Sequence, residues 1–332
     1  MLSAKRNTAD GASRSEDAIE VKNLWKAFYD SNQASTVVAI SDVSISIPKG
    51  QFVCICGPSG CGKSTLVRIL AGLERKTLGV IDIEDGGKQS DRPPAMVFQE
   101  ASLFPWLTLE ENVAYPLRLQ GVGAEERARS AAKLLEMTRL SDFANAYPHQ
   151  LSGGMKQRAS VARALIDQNS SILLMDEPFG ALDEQTRIEL QQELLRIWEQ
   201  TGKTVLFITH SVEEALTLGD RIIVMSARPG EVVADISVPF SRPRNVLELR
   251  SQAEFGKLTF EIWQLLARYK EGVAREVPVK SEQVPVKTSS SVSHEELERL
   301  ARPSRFDQFI SAVGKFSPLL VLVLWEMLTW IG

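Results

Sequence analysis

A chain of 332 residues is long enough for one large domain or two modest ones, and 44% hydrophobic with 24% charged residues is ordinary for a globular protein. The formal net charge of -4 argues against a general nucleic-acid binder, which would carry a basic surplus. Cys54, Cys56 and Cys61 crowd into one short stretch with no second pair elsewhere and only 3 histidines in the chain, so no zinc framework is expected; a reducing compartment suits them.

In chain order, residues 1–17 are polar, contain no apolar stretch that could act as a signal peptide, and read as a disordered tail. Residues 19–48 read as antiparallel strands, because Val43, Ile45 and Ile47 alternate with Ser44 and Ser46. The continuous apolar run QFVCIC (51–56) predicts a strand covered on both faces. A glycine-rich turn follows, then a helix over about 63–70 and another alternating strand at 79–84. Residues 108–166 are helical in pattern throughout. Three strand candidates come next (171–176, 204–209 and 220–226), with a helix at about 184–200 between the first two. Alternating strands and helices imply an α/β fold with a mostly parallel core sheet, into which the stretch at about 100–166 is inserted as a helical subdomain.

Past residue 240, Phe255, Leu258, Ile262, Leu265 and Leu266 share one helical face, with Trp263 nearby. Residues 276–293 lack periodicity and read as a linker. Ser293 and Glu296 form a capping-box pattern that predicts a helix to Arg302, stopped by Pro303.

Three motifs carry chemistry. GPSGCGKST (57–65) has Gly57, Gly62, Lys63 and Ser64 at the fixed positions of a phosphate-binding loop. In such a loop the backbone N–H groups of Gly57, Pro58, Ser59, Gly60, Cys61, Gly62 and Thr65, proline aside, turn toward phosphate oxygens, Lys63 bridges the terminal phosphates and the Ser64 hydroxyl ligates Mg²⁺. The buried strand before it and the helix after it are the context that separates this loop from a chance glycine turn. SILLMDE (171–177) then delivers Asp176 at a strand end, to hold the magnesium shell, with Glu177 beside it as general base. Two solvated carboxylates before Pro178 would be the plainer reading if the phosphate loop were absent. LSGGMKQR (151–158) sets two glycines after the cap-like Ser152, a second helix start that favours an anion. A second such end is redundant unless it serves a different nucleotide.

At this point the chain resembles the ABC ATPase family, whose signature is an LSGGQ-type motif, with Met155 in place of the usual glutamine. The resemblance covers about residues 18–270 and implies a P-loop NTPase fold with an antiparallel β subdomain, in a cassette domain spanning 18–275. It implies that Ser152, Gly153 and Gly154 cap the ATP held by a partner copy. It also implies that Gln99 in MVFQE senses Mg²⁺ and the attacking water, and that Asp183 in GALD lies at the subunit interface. His210 in FITH would contact the terminal phosphate, and Phe28 would stack on adenine, with Tyr29 close behind. Phrases such as VFQEASLFPWLTLEENV, DEPFGALDEQTR and VMSARPG are similar to the nitrate/sulfonate/taurine importer group.

The implied protein is an ATPase using ATP and Mg²⁺, a head-to-tail homodimer peripheral on the cytoplasmic face of the cell (inner) membrane. Its implied partners are transmembrane permease subunits and, indirectly, an extracytoplasmic solute-binding protein, with no nucleic acid. The competing reading is a soluble ABC ATPase not engaged in transport; such proteins usually carry paired cassettes, coiled-coil arms or zinc modules, and none is legible here.

Two features remain. Cys61 beside Lys63 at a helix start could carry a depressed thiol pKa, but without an adjacent resolving thiol it reads as a small side chain tolerated in the loop. The apolar run from Leu319 to Ile331 is shorter than the ~20 residues of a spanning helix. It follows Arg302, Arg305 and Lys315 and resembles the opening of the permease subunits, so residues 294–332 are expected to be a permease-like extension poorly packed on the cassette.

Overall fold

A computed structural model describes residues 17–30, 35–85, 88–89, 93–167, 169–180, 182–270 and 292–301. The chain begins with the long strands β1 (Asp17–Asp30) and β2 (Ser35–Pro48), then β3 (Phe52–Cys56), helix α1 (Lys63–Leu70), β4 (Leu78–Asp85), β5 (Lys88–Gln89) and β6 (Ala95–Val97). Helices α2 (Leu109–Leu119), α3 (Ala124–Met137) and α4 (Gly153–Leu165) follow. The chain then alternates through β7 (Ile172–Asp176), α5 (Glu184–Thr201), β8 (Thr204–Thr209), α6 (Val212–Leu218), β9 (Arg221–Met225) and β10 (Val232–Ser237). It closes with α7 (Val246–Arg250), α8 (Ala253–Lys270) and α9 (His294–Ala301).

The strands form two sheets, one antiparallel with order β2-β1-β4-β5 and one mostly parallel with order β10-β9-β3-β8-β7-β6. In the second sheet β9, β3, β8, β7 and β6 all run the same way and only β10 is antiparallel. The apolar runs are continuous in sequence because both faces of this sheet are covered, and the strand period of two sorts their side chains into two cores. Phe52, Cys54, Leu173, Met175, Val205 and Phe207 point to the face packed by α4, α5, α6 and α8. Val53, Ile55, Ile172, Leu174, Leu206 and Ile208 point to the face packed by α1 and the antiparallel sheet. Each fully buried side chain of this size contributes about 1.5–3 kcal/mol relative to an exposed one.

The helical region has its own core, built on Leu109, Val113, Leu135, Leu140 and Ala159. Helix α2 starts in a full capping box: the Thr108 side chain accepts from the Glu111 N–H at 3.2 Å and the Glu111 carboxylate accepts from the Thr108 N–H at 2.8 Å. This region is not detached. Helix α4 puts Ala159, Ala162 and its C-cap Ile166 into the helical core while Val161, Ala164 and Leu165 join the sheet core, so one helix belongs to both.

The face expected at residues 255–266 forms on α8, where Phe255, Ile262 and Leu266 are buried, while Trp263 stays exposed. Helix α9 starts where the cap pattern predicts, with the Ser293 hydroxyl accepting from the Glu296 N–H at 3.2 Å. It packs on β1 and β2 with Leu297 buried, so residues 294–301 of the expected extension do lie against the cassette. The apolar run at 319–331, most of the tail at 1–17 and nearly all of the linker fall outside the described residues. Among the described residues no helix is long and apolar enough to cross a membrane.

Candidate nucleotide site

The site lies along one rim of the parallel sheet, where neighbouring strands end side by side. The carboxyl ends of an open α/β sheet are where such folds bind ligands, because the loops there are free to diverge while the buried strands hold their roots. The loop after β3 brings Lys63 and Ser64, β7 ends in Asp176 and Glu177, β8 leads into His210, and β6 leads to Gln99. A cavity of about 440 Å³ opens on this rim. Phe28, Val37 and Ala39 form its apolar wall, and Ser59, Gly60, Gly62, Lys63, Ser64, Thr65, Gln99, Glu177 and Arg228 form the rest.

The phosphate loop is tightly held. Gly62 sits at φ 96, and a Cβ there would lie 2.7 Å from the Ala39 carbonyl oxygen, so both its conformation and its surroundings demand glycine. The buried Lys63 ammonium donates to the carbonyls of Gly57 at 2.8 Å and Pro58 at 3.0 Å, and lies 3.7 Å from the Cys61 sulfur. Cys61 turns its side chain into the core, where burial raises its thiol pKa against the opposing pull of Lys63. Burial thus works against a depressed thiol pKa at Cys61 and favours the plainer reading of a small side chain in the loop. The side chains of Pro58 and Cys61 are not among those lining the cavity.

Ser64 donates from its hydroxyl to Asp176 Oδ1 at 2.9 Å, joining two residues 112 positions apart. Asp176 is 2% exposed, and burial raises its pKa while the Ser64 bond opposes that rise. A buried carboxylate and a hydroxyl side by side are hard oxygen donors, the set that Mg²⁺ accepts, and the cost of burying the carboxylate falls when a cation shares it. The residues present fit that ion.

Glu177 has φ 46, the left-handed region that a non-glycine residue occupies at a cost of about 1–3 kcal/mol. Its N–H donates to the Ile208 carbonyl at 3.0 Å, which pins the turn after β7 to strand β8. In this position one carboxylate oxygen meets two partners: Gln99 Nε2 at 3.4 Å and His210 Nδ1 at 3.3 Å. Two residues from separate stretches of sequence thus converge on Glu177 Oε2.

The remaining expected residues split. Phe28 is 40% exposed and lines the cavity with the Lys26 ammonium 4.3 Å from its ring centre; Tyr29 does not line it. Ser152, Gly153, Gly154 and Asp183 lie elsewhere. Ser152 caps α4, its hydroxyl accepting from the Met155 N–H at 3.3 Å, and both Ser152 and Gly153 face solvent. Asp183 caps α5 through the Thr186 N–H at 3.0 Å, a bond that holds its carboxyl below the usual range. The two caps are neighbours: a Cβ on Gly154 would stand 3.1 Å from Leu182.

Several residues that sequence reasoning passes over hold this geometry. Buried Gln157 of α4 donates to the Phe98 carbonyl at 3.1 Å, tying the helix that starts at Ser152 to the segment bearing Gln99. Fully buried Asn112 donates to the carbonyls of Phe104, Leu107 and Thr108 and fixes the rest of that segment. Glu214 accepts from Thr209 at the end of β8, beside His210, and burial raises its pKa. Arg228 enters the cavity wall from the loop after β9. A glutamine or asparagine on an apolar helical face is the one signal that could have marked Gln157 and Asn112.

The chain is similar to known proteins of one family. The family described as ABC transporter matches residues 40–180. An aliphatic sulfonates import ATP-binding protein, SsuB, of Bacillus thuringiensis is 46% identical over 220 residues, 65% of this chain and 85% of that protein. A nitrate import ATP-binding protein, NrtD, of Synechocystis is 41% identical over 256 residues, 75% of this chain and 94% of that one. The dimeric post-hydrolysis structure of the ATP-binding cassette MJ0796, bound to ADP and Pi, is matched with a TM-score of 0.59 at 35% identity, covering 67% of this chain and 100% of that one. The chain belongs to the ATP-binding proteins of the ABC transporter family, and it is an ATPase.

Proposed function

We propose that this chain is the ATP-hydrolysing subunit of an ABC importer for a small anion of the nitrate or sulfonate kind, peripheral on the cytoplasmic face of the membrane. The observation that carries the catalytic part is the convergence of Gln99 and His210 on Glu177 at the rim that also holds Lys63, Ser64 and Asp176. Phe28 supports the adenine, and the loop N–H groups with Lys63 hold the triphosphate. Ser64 and Asp176, with Gln99 at hand, would hold Mg²⁺, which when bound offsets charge on the phosphates. Glu177 takes the proton of the attacking water while Gln99 orients that water and His210 contacts the terminal phosphate. The products are ADP and phosphate, and loss of the terminal phosphate contacts lets the assembly open.

The second half of each site comes from a second copy of the chain. Ser152, Gly153 and Gly154 form a solvent-facing helix start well suited to an anion, and they do not line their own chain's cavity. Two copies packed head to tail bring each helix start to the other's triphosphate. Permease subunits fit against the segment after Gln99, where a groove of about 390 Å³ is lined by Phe98, Phe104, Tyr115 and Leu119. Trp106, 70% exposed, stands beside Phe104. The importer class and the anion rest on the named relatives, SsuB and NrtD.

The test is a mixed dimer with Ser152→Arg in one copy and Lys63→Ala in the other. Head-to-tail packing concentrates both lesions in one site and leaves the other intact, so one ATP per dimer remains occluded. Loss of all occlusion would place each signature at its own chain's nucleotide and overturn the arrangement.

A further inference from the structure

The strand ends that supply the site are β6, β7, β8 and β3, yet the parallel array has one more member. Strand β9 runs parallel to β3, with Cys56 opposite Val224, and its loop therefore emerges on the same rim. That loop carries Arg228, which lines the same cavity as Lys63 and Glu177.

Arg228 is fixed there by contacts on both sides. Its Nε donates to the Gly60 carbonyl in the phosphate loop at 3.1 Å, and a Cβ on Gly60 would stand 3.2 Å from Arg228 Nη2. Gly230 lies against the loop from beneath, so close that a Cβ would fall 1.9 Å from the Cys61 carbonyl oxygen. Its N–H donates to the Ala39 carbonyl and its own carbonyl accepts from the Ser41 N–H, each at 3.0 Å, which binds the turn to β2. The Ser226 hydroxyl closes the turn by donating to the Pro229 carbonyl at 2.9 Å. The turn that carries Arg228 is thus tied to the loop, the Nε bond brings the exposed guanidinium to Gly60, and among the described residues nothing accepts from its two terminal amino groups. A guanidinium presents its donors in a planar fork that matches phosphate oxygens. In this cavity, where Lys63 is the other cationic lining residue, a fork left free at the loop has an anion to meet.

We propose that Arg228 is a nucleotide-binding residue that contacts the polyphosphate chain of ATP from the fifth strand end. This rests on the cavity being the nucleotide site. Its Nε keeps Gly60 in place, and its terminal amino groups supply the charge-assisted bonds to phosphate.

Calorimetric titration of the full chain with ATP, ADP and AMP tests this, using Arg228→Ala, Arg228→Lys and Arg228→Gln. Arg228→Ala should lose about tenfold or more in affinity for ATP and ADP, the expected scale for a bond to a charged group, and much less for AMP. Arg228→Lys should restore much of the loss by returning the charge; Arg228→Gln, which can still donate to Gly60 but is neutral, should not. Unchanged ATP affinity in Arg228→Ala, an equal loss for AMP, or rescue by glutamine as good as by lysine would each overturn the proposal. Lys63→Ala in parallel separates the two readings. If Lys63→Ala binds ATP weakly and Arg228→Ala binds it normally, this inference alone fails. If both bind normally, the cavity is not the nucleotide site.

Discussion

The sheet rim and the start of α4 both present backbone N–H groups and glycines suited to an anion, but they are built in opposite ways. At the rim, Lys63 and Asp176 are 4% and 2% exposed, the strands leading to them are wholly buried, and Gly62 is wedged against Ala39. At the start of α4, Ser152 and Gly153 face solvent, and a Cβ on Gly153 would meet nothing within 4 Å. The half of a site that one chain supplies ready-made needs its anchors fixed by burial before the ligand arrives, because preorganised charges do not reorganise during the reaction. A site completed by a second body needs an open surface. The contrast is the one expected of a nucleotide shared between two copies.

The largest effect that would test the contrast is on the rim. Glu177→Gln is expected to bind ATP and lose about 10²–10⁴-fold in hydrolysis rate, the usual contribution of a positioned base. Steady-state ATPase assays check this, and undiminished turnover would mean the base is another residue. Ser152→Arg attacks the open side instead. Hydrolysis should be lost, while ATP affinity measured on the monomeric chain stays near wild type; a matching loss of affinity would place Ser152 at its own chain's nucleotide and erase the comparison.

Two core substitutions ask how far the regions are mechanically separate. Leu206→Ala, in the sheet core, and Leu135→Ala, in the helical core, should each cost about 2–5 kcal/mol, since each leaves a cavity under a side chain no more than 1% exposed. Because α4 packs into both cores, either variant should still unfold in a single denaturant transition by fluorescence and circular dichroism. Separate transitions would show the helical region to be an independent unit. Smallest of all, Thr108→Ala removes the cap of α2 and should lower stability by about 1 kcal/mol in the same measurement.

Much of the architecture was legible because it is written in local pattern. The run FVCIC and the run TVLFIT form strands because their neighbours cover both faces, and α1 spans the residues that the phosphate-loop context predicts. Short elements were not legible: β6 has three residues, too few for a period, and β10 is partly buried without clean alternation. The motif residues could be read in order, since Lys63 and Ser64 open α1 after a glycine loop and Asp176 and Glu177 end the apolar run of β7. Cys61 could not be settled that way, because the direction of its side chain depends on packing against residues far along the chain.

By itself, then, the sequence determined the strand and helix types, the phosphate loop, the acidic strand end and the capped glycine helix start, all legible in patterns a few residues long. Only the tertiary structure decided which of these meet. It brought Ser64 to Asp176, Glu177 to both Gln99 and His210, Gln157 to Phe98 and Arg228 to Gly60. It also left Ser152 and Gly153 facing outward, with a solvent exposure that no local pattern specifies. The reason is physical: each of these pairs spans between 33 and 168 residues, and what closes such a span is strand order and core packing, to which no short stretch of sequence has access.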